Sequence, residues 1–241
     1  MNDLLSLFLL CIGASFIQRT TGFGFGIFIM TLLPSIIGSY GEATALSGIL
    51  ALTTSAIIAW RMRKLIVWKK LIPILVTFIV VSTAAIFILT RIEGQLLNRI
   101  LGAVLILISI YFCLFSQRIK LRPTKRVMFS TGTLSGVMGG LFGMQGPPAV
   151  LYFITVEDDK DKYMATVQAF FLLGNLTMTL VRAFNGFVTL SVSIGYLIGL
   201  GGVFIGSSIG GYVFSRIPKH IFRYVVYAYI GISGLIIIIN A

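Results

Sequence analysis

Two glycine-rich segments interrupt apolar runs and carry the backbone groups in this chain that could bind a small anion. The longer break is Gly139–Pro148, and the shorter one is Thr20–Gly26 near the N-terminus. Helix N-termini that meet at such breaks offer free N–H groups and the positive end of the helix dipole, which attract anions. Matched breaks in two halves of a membrane chain predict a transporter's substrate site.

Polar side chains flank the first break. Arg19 lies between two apolar runs, and an intramembrane charge is by default a functional hypothesis. We expect it to be the counter-charge of an anion, although it could instead snorkel to the membrane surface. The candidate binding residues here are Gln18, Arg19, Thr20, Thr21, Gly22, Gly24 and Gly26.

The second break combines donors with prolines. Gln145, Gly146 and Ala149 bring donors to one point, and Pro147 suits the first helical turn, where no N–H is needed. We expect Gly143, Gln145, Gly146 and Pro147 to bind substrate. A simple packing kink is the alternative.

Two more candidates share one helix face. Gln168 and Asn175 lie seven residues apart, which is two helical turns, so both could face the second break. The alternative is hydrogen bonding between helices. Arg182, at the end of the same segment, is expected to be an interfacial anchor.

Acidic residues are placed only in predicted loops and termini. They are Asp3, Glu42, Glu93, Glu157, Asp158, Asp159 and Asp161. No predicted span contains a carboxylate for a proton relay or a cation site, so the substrate should be an anion. We expect no metal, no cofactor and no enzymatic activity.

Composition identifies the elements that must position these residues. The chain of 241 residues is 57% hydrophobic and 11% charged, whereas soluble domains carry about 25% charged residues. Apolar runs recur along its length, and a spanning helix needs about 20 such residues. We predict an all-α, polytopic integral membrane protein of about eight helices, some broken or re-entrant, with Leu4–Ile17 as the first membrane segment rather than a cleaved signal.

The net charge of +12 is concentrated in short loops. Excess Lys and Arg in such loops mark the cytoplasmic side and attract anionic lipid, so lipid rather than nucleic acid is the expected partner. The two clusters are Arg61, Arg63, Lys64, Lys69, Lys70 and Arg118, Lys120, Arg122, Lys125, Arg126.

Short matches recur in order along two halves. Phe23-Gly24 returns as Phe142-Gly143 after 119 residues, Ala43-Thr44 as Ala165-Thr166 after 122, and Arg91-Ile92 as Arg216-Ile217 after 125. We predict a first membrane repeat at residues 1–117, a basic cytoplasmic linker at 118–126 and a second repeat at 127–241.

The orientation of the halves depends on the breaks. If each break is a kinked crossing, the halves are parallel and the basic residues, with Arg19 left uncounted, divide 11 inside to 7 outside. If each break is a hairpin that enters and leaves on one side, the halves are inverted and the division is 15 to 3. The positive-inside rule favours inverted halves.

These features resemble the sulfite exporter (TauE/SafE-type) family of membrane permeases. The likeness rests on the glycine breaks, an Ala-Thr helix and the segments Trp60-Arg61-Met62-Arg63, Val67-Trp68 and Gly143-Met144-Gln145-Gly146-Pro147-Pro148, with Asn175 later. The resemblance implies a permease for sulfite, organosulfonates or related anions in the plasma membrane, or the bacterial inner membrane. The first break here has fewer consecutive glycines than is usual in that family, and Phe23 and Phe25 would reshape its half of the site.

Other functions and assemblies stay open from the residues alone. An anion channel or a non-transporting structural membrane subunit is the alternative function, and a homo-oligomer is an open possibility. Gly202, Gly206 and Gly210 stand four apart and predict close helix packing rather than binding.

Overall fold

The computed structural model describes residues 2–30, 32–37, 39–89 and 123–218, with the single residues 100 and 221. Apart from Ile100, the apolar runs at 100–115 and 224–241, which we predict to span the membrane, lie outside the described residues. Regular structure in the described part is helical, with a short 3-10 turn at Arg63–Leu65. The helices are α1 (Asn2–Thr21), α2 (Phe25–Met30), α3 (Leu33–Ile36), α4 (Tyr40–Arg61), α5 (Trp68–Leu89), α6 (Lys125–Phe142), α7 (Gly146–Val156), α8 (Lys160–Phe184) and α9 (Leu190–Arg216).

Five of these helices are long and apolar enough to cross a membrane, namely α1, α4, α5, α8 and α9. The prediction of an all-α, polytopic membrane protein is confirmed. Polar residues begin the long helices: the side chains of Thr124, Asp159 and Thr189 accept hydrogen bonds from the first turns of α6, α8 and α9. These caps satisfy N–H groups that have no partner within the helix.

A ridge of glycines holds α9 against α1. A Cβ added to Gly202 would lie 2.6 Å from the carbonyl oxygen of Phe8, and one at Gly210 would lie 2.8 Å from Cβ of Arg19. Gly206, between them, faces the carbonyl oxygen of Ile12. Such close approach between backbones is typical of small residues repeated every four positions. These glycines therefore pack helices, as the sequence predicts.

A second ridge, which the sequence analysis missed, joins α6 to α5. Cβ atoms added to Gly132, Gly136 and Gly140 would lie 2.8 Å, 3.1 Å and 2.7 Å from carbonyl oxygens of α5. Their four-residue spacing was visible in the sequence. Only Gly140 lies within the glycine-rich break, so the helix before the break is built for close packing.

Contacts along the ridges fix the direction of each helix. Later residues of α9 meet later residues of α1, and α9 likewise follows α4 from Gly195 at Leu46 to Gly199 at Leu50. Thus α1, α4 and α9 run in one direction. In contrast, Gly48 of α4 lies near Thr179, while Val67, just beyond α4, donates to Thr166, so α8 runs opposite to α4. Helix α5 runs with α8, because Val67 and Phe78 meet Thr166 and Gly174 in the same order. Helix α6 runs with α5, because its glycines follow α5 in order.

Both breaks are therefore hairpins. Since α1 and α4 run the same way, α2 and α3 carry the chain back to the face where α1 begins. Likewise α7 returns the chain from α6 to the start of α8. Among the described helices, α1, α4 and α5 of the first half run opposite to α6, α8 and α9 of the second half, respectively, which is the arrangement that the inverted interpretation predicts.

Ionic contacts tie the loops of one face together. Lys70 at the start of α5 forms an ion pair of 2.8 Å with Glu157 and donates to the carbonyl of Val156 at 2.6 Å. Lys160, the first residue of α8, donates to the carbonyls of Phe214 and Ile217 at the C-terminal end of α9. The acidic segment 157–162 thus lies on the same face as the basic turn at Lys64 and the start of α5 at Lys70.

Candidate functional site

The first break is an irregular turn held by side chains of α8. Gly22 and Gly24 have φ angles of 93° and 99°, values that glycine adopts without strain. Gln168 donates to the carbonyl of Gly22 at 2.6 Å, and the hydroxyl of Tyr163 donates to the carbonyl of Thr21 at 3.3 Å. The turn is therefore anchored to α8 through its own backbone oxygens.

The second break is a glycine-terminated helix end followed at once by a new helix. Gly143 has φ of 69° and its N–H bonds to the carbonyl of Gly139, while Met144 N–H reaches back to Met138 at 3.3 Å. This pattern closes a helix C-terminus and redirects the chain. Helix α7 then starts at Gly146 with proline in its first turn, as predicted for Pro147.

The two breaks meet. A Cβ added to Gly26 would lie 2.7 Å from the carbonyl oxygen of Gly143, and one at Gly146 would lie 3.2 Å from the Phe23 ring. Between them is a cavity of about 30 Å³, near the middle of α4 and α8. It is lined by Gln18, Gly24, Phe25, Gly26, Ile27, Ala51, Gly143, Met144, Gln145, Gly146, Phe171 and Asn175. A water molecule needs about 10–15 Å³ of such space, so this conformation is nearly closed.

Three carboxamides supply the polar lining. Gln18 Nε2 donates to Ser55 Oγ at 2.8 Å and to Gln168 Oε1 at 3.0 Å. Gln145 Nε2 donates to Asn175 Oδ1 at 3.0 Å. In these bonds Gln18 and Gln145 use their amide nitrogens and Asn175 uses its amide oxygen, so the other polar atom of each side chain is left for other partners. Of these atoms, Gln145 Oε1 is buried and has no hydrogen-bond partner among the described residues.

Seven of the predicted binding residues line this cavity: Gln18, Gly24, Gly26, Gly143, Gln145, Gly146 and Asn175. Four other predicted residues are buried and adjoin these in sequence but do not line the cavity: Thr20, Thr21, Gly22 and Pro147. Thr21 instead donates to the carbonyls of Ile17 and Phe23, so it shapes the turn.

Arg19 points away from the cavity, contrary to its predicted position. Its guanidinium lies 5.5 Å from the centre of the Phe214 ring and its Nη1 contacts the sulfur of Met62 at 3.9 Å. Because successive helical residues point about 100° apart, Gln18 faces the cavity while Arg19 faces α9. The counter-charge role is therefore not supported by this geometry.

Two other expectations on α8 need correction. Gln168 serves the first break rather than the second, because it bonds Gly22 and Gln18. Arg182 is no interfacial anchor: it is 0% exposed and donates to the carbonyls of Gly139 and Gly140 at 3.0 and 3.1 Å. The rule that marks intramembrane charges as functional could have identified it, whereas nothing in the sequence marks Ser55, Ala51 or Phe171 as neighbours of the site.

No acidic side chain lines the cavity, and the described residues contain no cluster of metal-ligating side chains. The lining joins neutral amides and backbone groups to apolar side chains, including two phenylalanines. Such a surface can hydrogen-bond a compact polar group and pack against a short apolar one.

A comparison with protein families decides what this architecture is. The model of the family "Sulfite exporter TauE/SafE" matches residues 7–237. The chain belongs to the sulfite exporter TauE/SafE family. A relative from Cupriavidus necator, "Probable sulfite/organosulfonate exporter TauE", is 23% identical over 200 residues, covering 81% of this chain and 78% of the relative. No solved structure matches this chain significantly.

Membership in the TauE/SafE family confirms the resemblance seen in the sequence and establishes the general function of the chain. The chain is a multi-pass plasma-membrane transport protein, and its substrate is a small anion. Its family is one of transporters rather than enzymes.

Proposed function

We propose that this TauE/SafE protein moves sulfite or a small organosulfonate across the membrane by alternating access at the meeting point of the two breaks. The observation that carries the proposal is the cavity between Gly24–Ile27 and Gly143–Gly146, reached by hairpins from opposite faces of the molecule. The relative from Cupriavidus necator is named as an exporter of this substrate class.

The lining suits an anion with a polar head. Asn175 Nδ2 can donate to a sulfite oxygen, because the bond from Gln145 occupies only Oδ1 of that amide, and the start of α7 at Gly146 places a positive helix end beside it. No described carboxylate competes for these donors. Phe25, Ile27 and Phe171 would contact the short carbon chain of an organosulfonate.

The closed geometry favours a permease over a channel. With a cavity of about 30 Å³ and backbones touching at Gly26 and Gly143, an anion enters only if one hairpin moves relative to the other. Each hairpin is fixed to α8 by carboxamides, through Gln168 for the first and Asn175 for the second. If the hydrogen bonds of one hairpin break while those of the other are kept, the cavity opens to one side of the membrane at a time.

We also propose that the halves are inverted repeats at residues 1–117 and 127–241, joined by the basic linker 118–126. The reciprocal packing supports this: α1 of the first half packs on α9 of the second, and α6 of the second packs on α5 of the first. Export needs no coupling ion in this scheme, because an inside-negative potential supplies about 2.3 kcal/mol per charge per 100 mV.

The test is anion flux in liposomes that contain the purified full chain. We expect saturable flux of sulfite that an imposed inside-negative potential drives outward, with competition by taurine or methanesulfonate. Flux that rises linearly with sulfite concentration would identify a channel. If no anion crosses liposomes with the protein faster than liposomes without it, the result would instead support the alternative of a non-transporting structural subunit.

A further inference from the structure

Arg182 is a fully buried cation whose contacts account for only part of its hydrogen-bonding capacity. It lies in the last turn of α8 and is 0% exposed. Its Nη2 donates to the carbonyls of Gly139 and Gly140 in the last turn of α6. A helix C-terminus carries about half a negative charge, so this contact is favourable but does not neutralise the guanidinium.

The rest of the guanidinium has no partner among the described residues. Nε and Nη1, which carry three of the five N–H groups, are buried without a hydrogen bond. The ion pair seen in the described part of the chain, Lys70–Glu157, is at the opposite face. A buried charge without a counter-charge is strongly disfavoured, so a further negative group is expected here.

Two buried hydroxyl groups, one on α8 and one on α4, lie at the same end of this helix pair as the free N–H groups. Cβ of a residue at Gly48 would lie 3.5 Å from Thr179 Oγ1 and 3.9 Å from Arg182 Nη1, which are ordinary van der Waals distances, so both polar atoms face the backbone of Gly48 on α4. Thr179 Oγ1 is buried without a partner in the described residues. The hydroxyl of Tyr40 is also buried and unpartnered there, and Tyr40 begins α4 at the end that packs against the C-terminus of α8, where Gly41 meets Phe187.

We propose that Arg182, Thr179 and Tyr40 form a second anion site, which the permeant anion occupies between the central cavity and the membrane surface. Arg182 follows Asn175 by seven residues, so the two share a face of α8 about 10 Å apart along its axis. The second site lies toward the N-terminus of α4, opposite the face that carries Lys64 and Lys70. By the positive-inside rule this is the outer face, so an exported anion occupies this site last before its release.

This inference rests on the proposed function, and counting bound anions separates the two. The experiment measures equilibrium binding of radiolabelled sulfite to the purified full chain in lipid nanodiscs. We expect two sites per chain for the wild type, one for Arg182→Gln, and two for the control Arg216→Gln, whose guanidinium stacks on Tyr212 in the last turns of α9. Arg182→Lys should retain the second site with at least tenfold weaker affinity, because lysine keeps the charge but loses the planar donor set.

A second variant guards against loss of folding. Thr179→Val combined with Tyr40→Phe leaves the bonds from Arg182 to Gly139 and Gly140 in place and should weaken the second site about tenfold while sparing the first. Two unchanged sites in the folded variants, or a single site in the wild type, would overturn the proposal and leave Arg182 as a cap of α6. Absence of any bound sulfite in the wild type would instead count against the proposed function as well.

Discussion

At the residue scale, neutral carboxamides take the place that a charged side chain was expected to fill. Gln18 uses its amide nitrogen to hold Ser55 and Gln168, whereas Asn175 holds Gln145 through Oδ1 and keeps its Nδ2 donor for another partner. A neutral donor binds an anion without the attraction of a full opposite charge, which suits a site that must release its ligand. The charge of Arg182 lies two turns further along α8.

Asn175→Ala should impair transport through loss of substrate contact. Removing one donor to an ionised group costs about 1.5–3 kcal/mol, which corresponds to roughly 10- to 100-fold in apparent sulfite affinity. Thr53 occupies the matching position of the first half, where it bonds Ile49 and Tyr196 and does not line the cavity. Thr53→Ala should therefore change the apparent affinity by no more than about threefold. Concentration-dependent flux in liposomes measures both, and equal effects would argue against the assigned lining.

At the element scale, the two closely packed helix pairs carry their small residues on opposite partners. In the α5–α6 pair the glycines lie on α6, against Thr77, Val81 and Ala85. In the α1–α9 pair they lie on α9, at positions 125 residues after those same three residues. Either partner can supply the small surface, because close approach requires only that one side of the interface lack side chains.

Gly206→Ala should destabilise the protein, because its Cβ would meet the carbonyl of Ile12 on a packed backbone. Overpacking of this kind costs about 1–3 kcal/mol, equivalent to a fall of roughly 2–12 °C in Tm. The control is Gly201→Ala on the same helix, where the added Cβ faces only the edge of the Phe8 ring at 3.1 Å. Thermal unfolding in detergent should show the control at or above the wild-type Tm. A similar loss for both variants would contradict the ridge.

At the scale of the whole molecule, two hairpins from opposite faces place irregular backbone at one central point. Glycine-rich turns are tolerated at membrane depth when protein encloses them, as Tyr163, Phe23 and Phe171 do here. The acidic segment 157–162 joins the basic face through the ion pair between Lys70 and Glu157, so both lie on the face that the positive-inside rule assigns to the cytoplasm.

Cysteine labelling in intact cells tests this topology. With Cys11 and Cys113 replaced by serine, Lys64→Cys and Asp158→Cys should react with a membrane-impermeant maleimide only after permeabilisation. Val188→Cys, in the turn between α8 and α9, should react from outside. Lys64 and Asp158 labelled from different sides would indicate kinked crossings and parallel halves.

The sequence by itself determined the membrane class, the family and most of the cavity lining. These follow from local properties: apolar run length, glycine and proline placement, and short motifs around Gly143 and Asn175. Only the tertiary structure decided that Gln18 rather than Arg19 faces the site, since neighbouring residues diverge by about 100° around a helix. It also decided that Gln168 serves the first break and that Arg182 is buried, because both depend on how α8 packs between the hairpins.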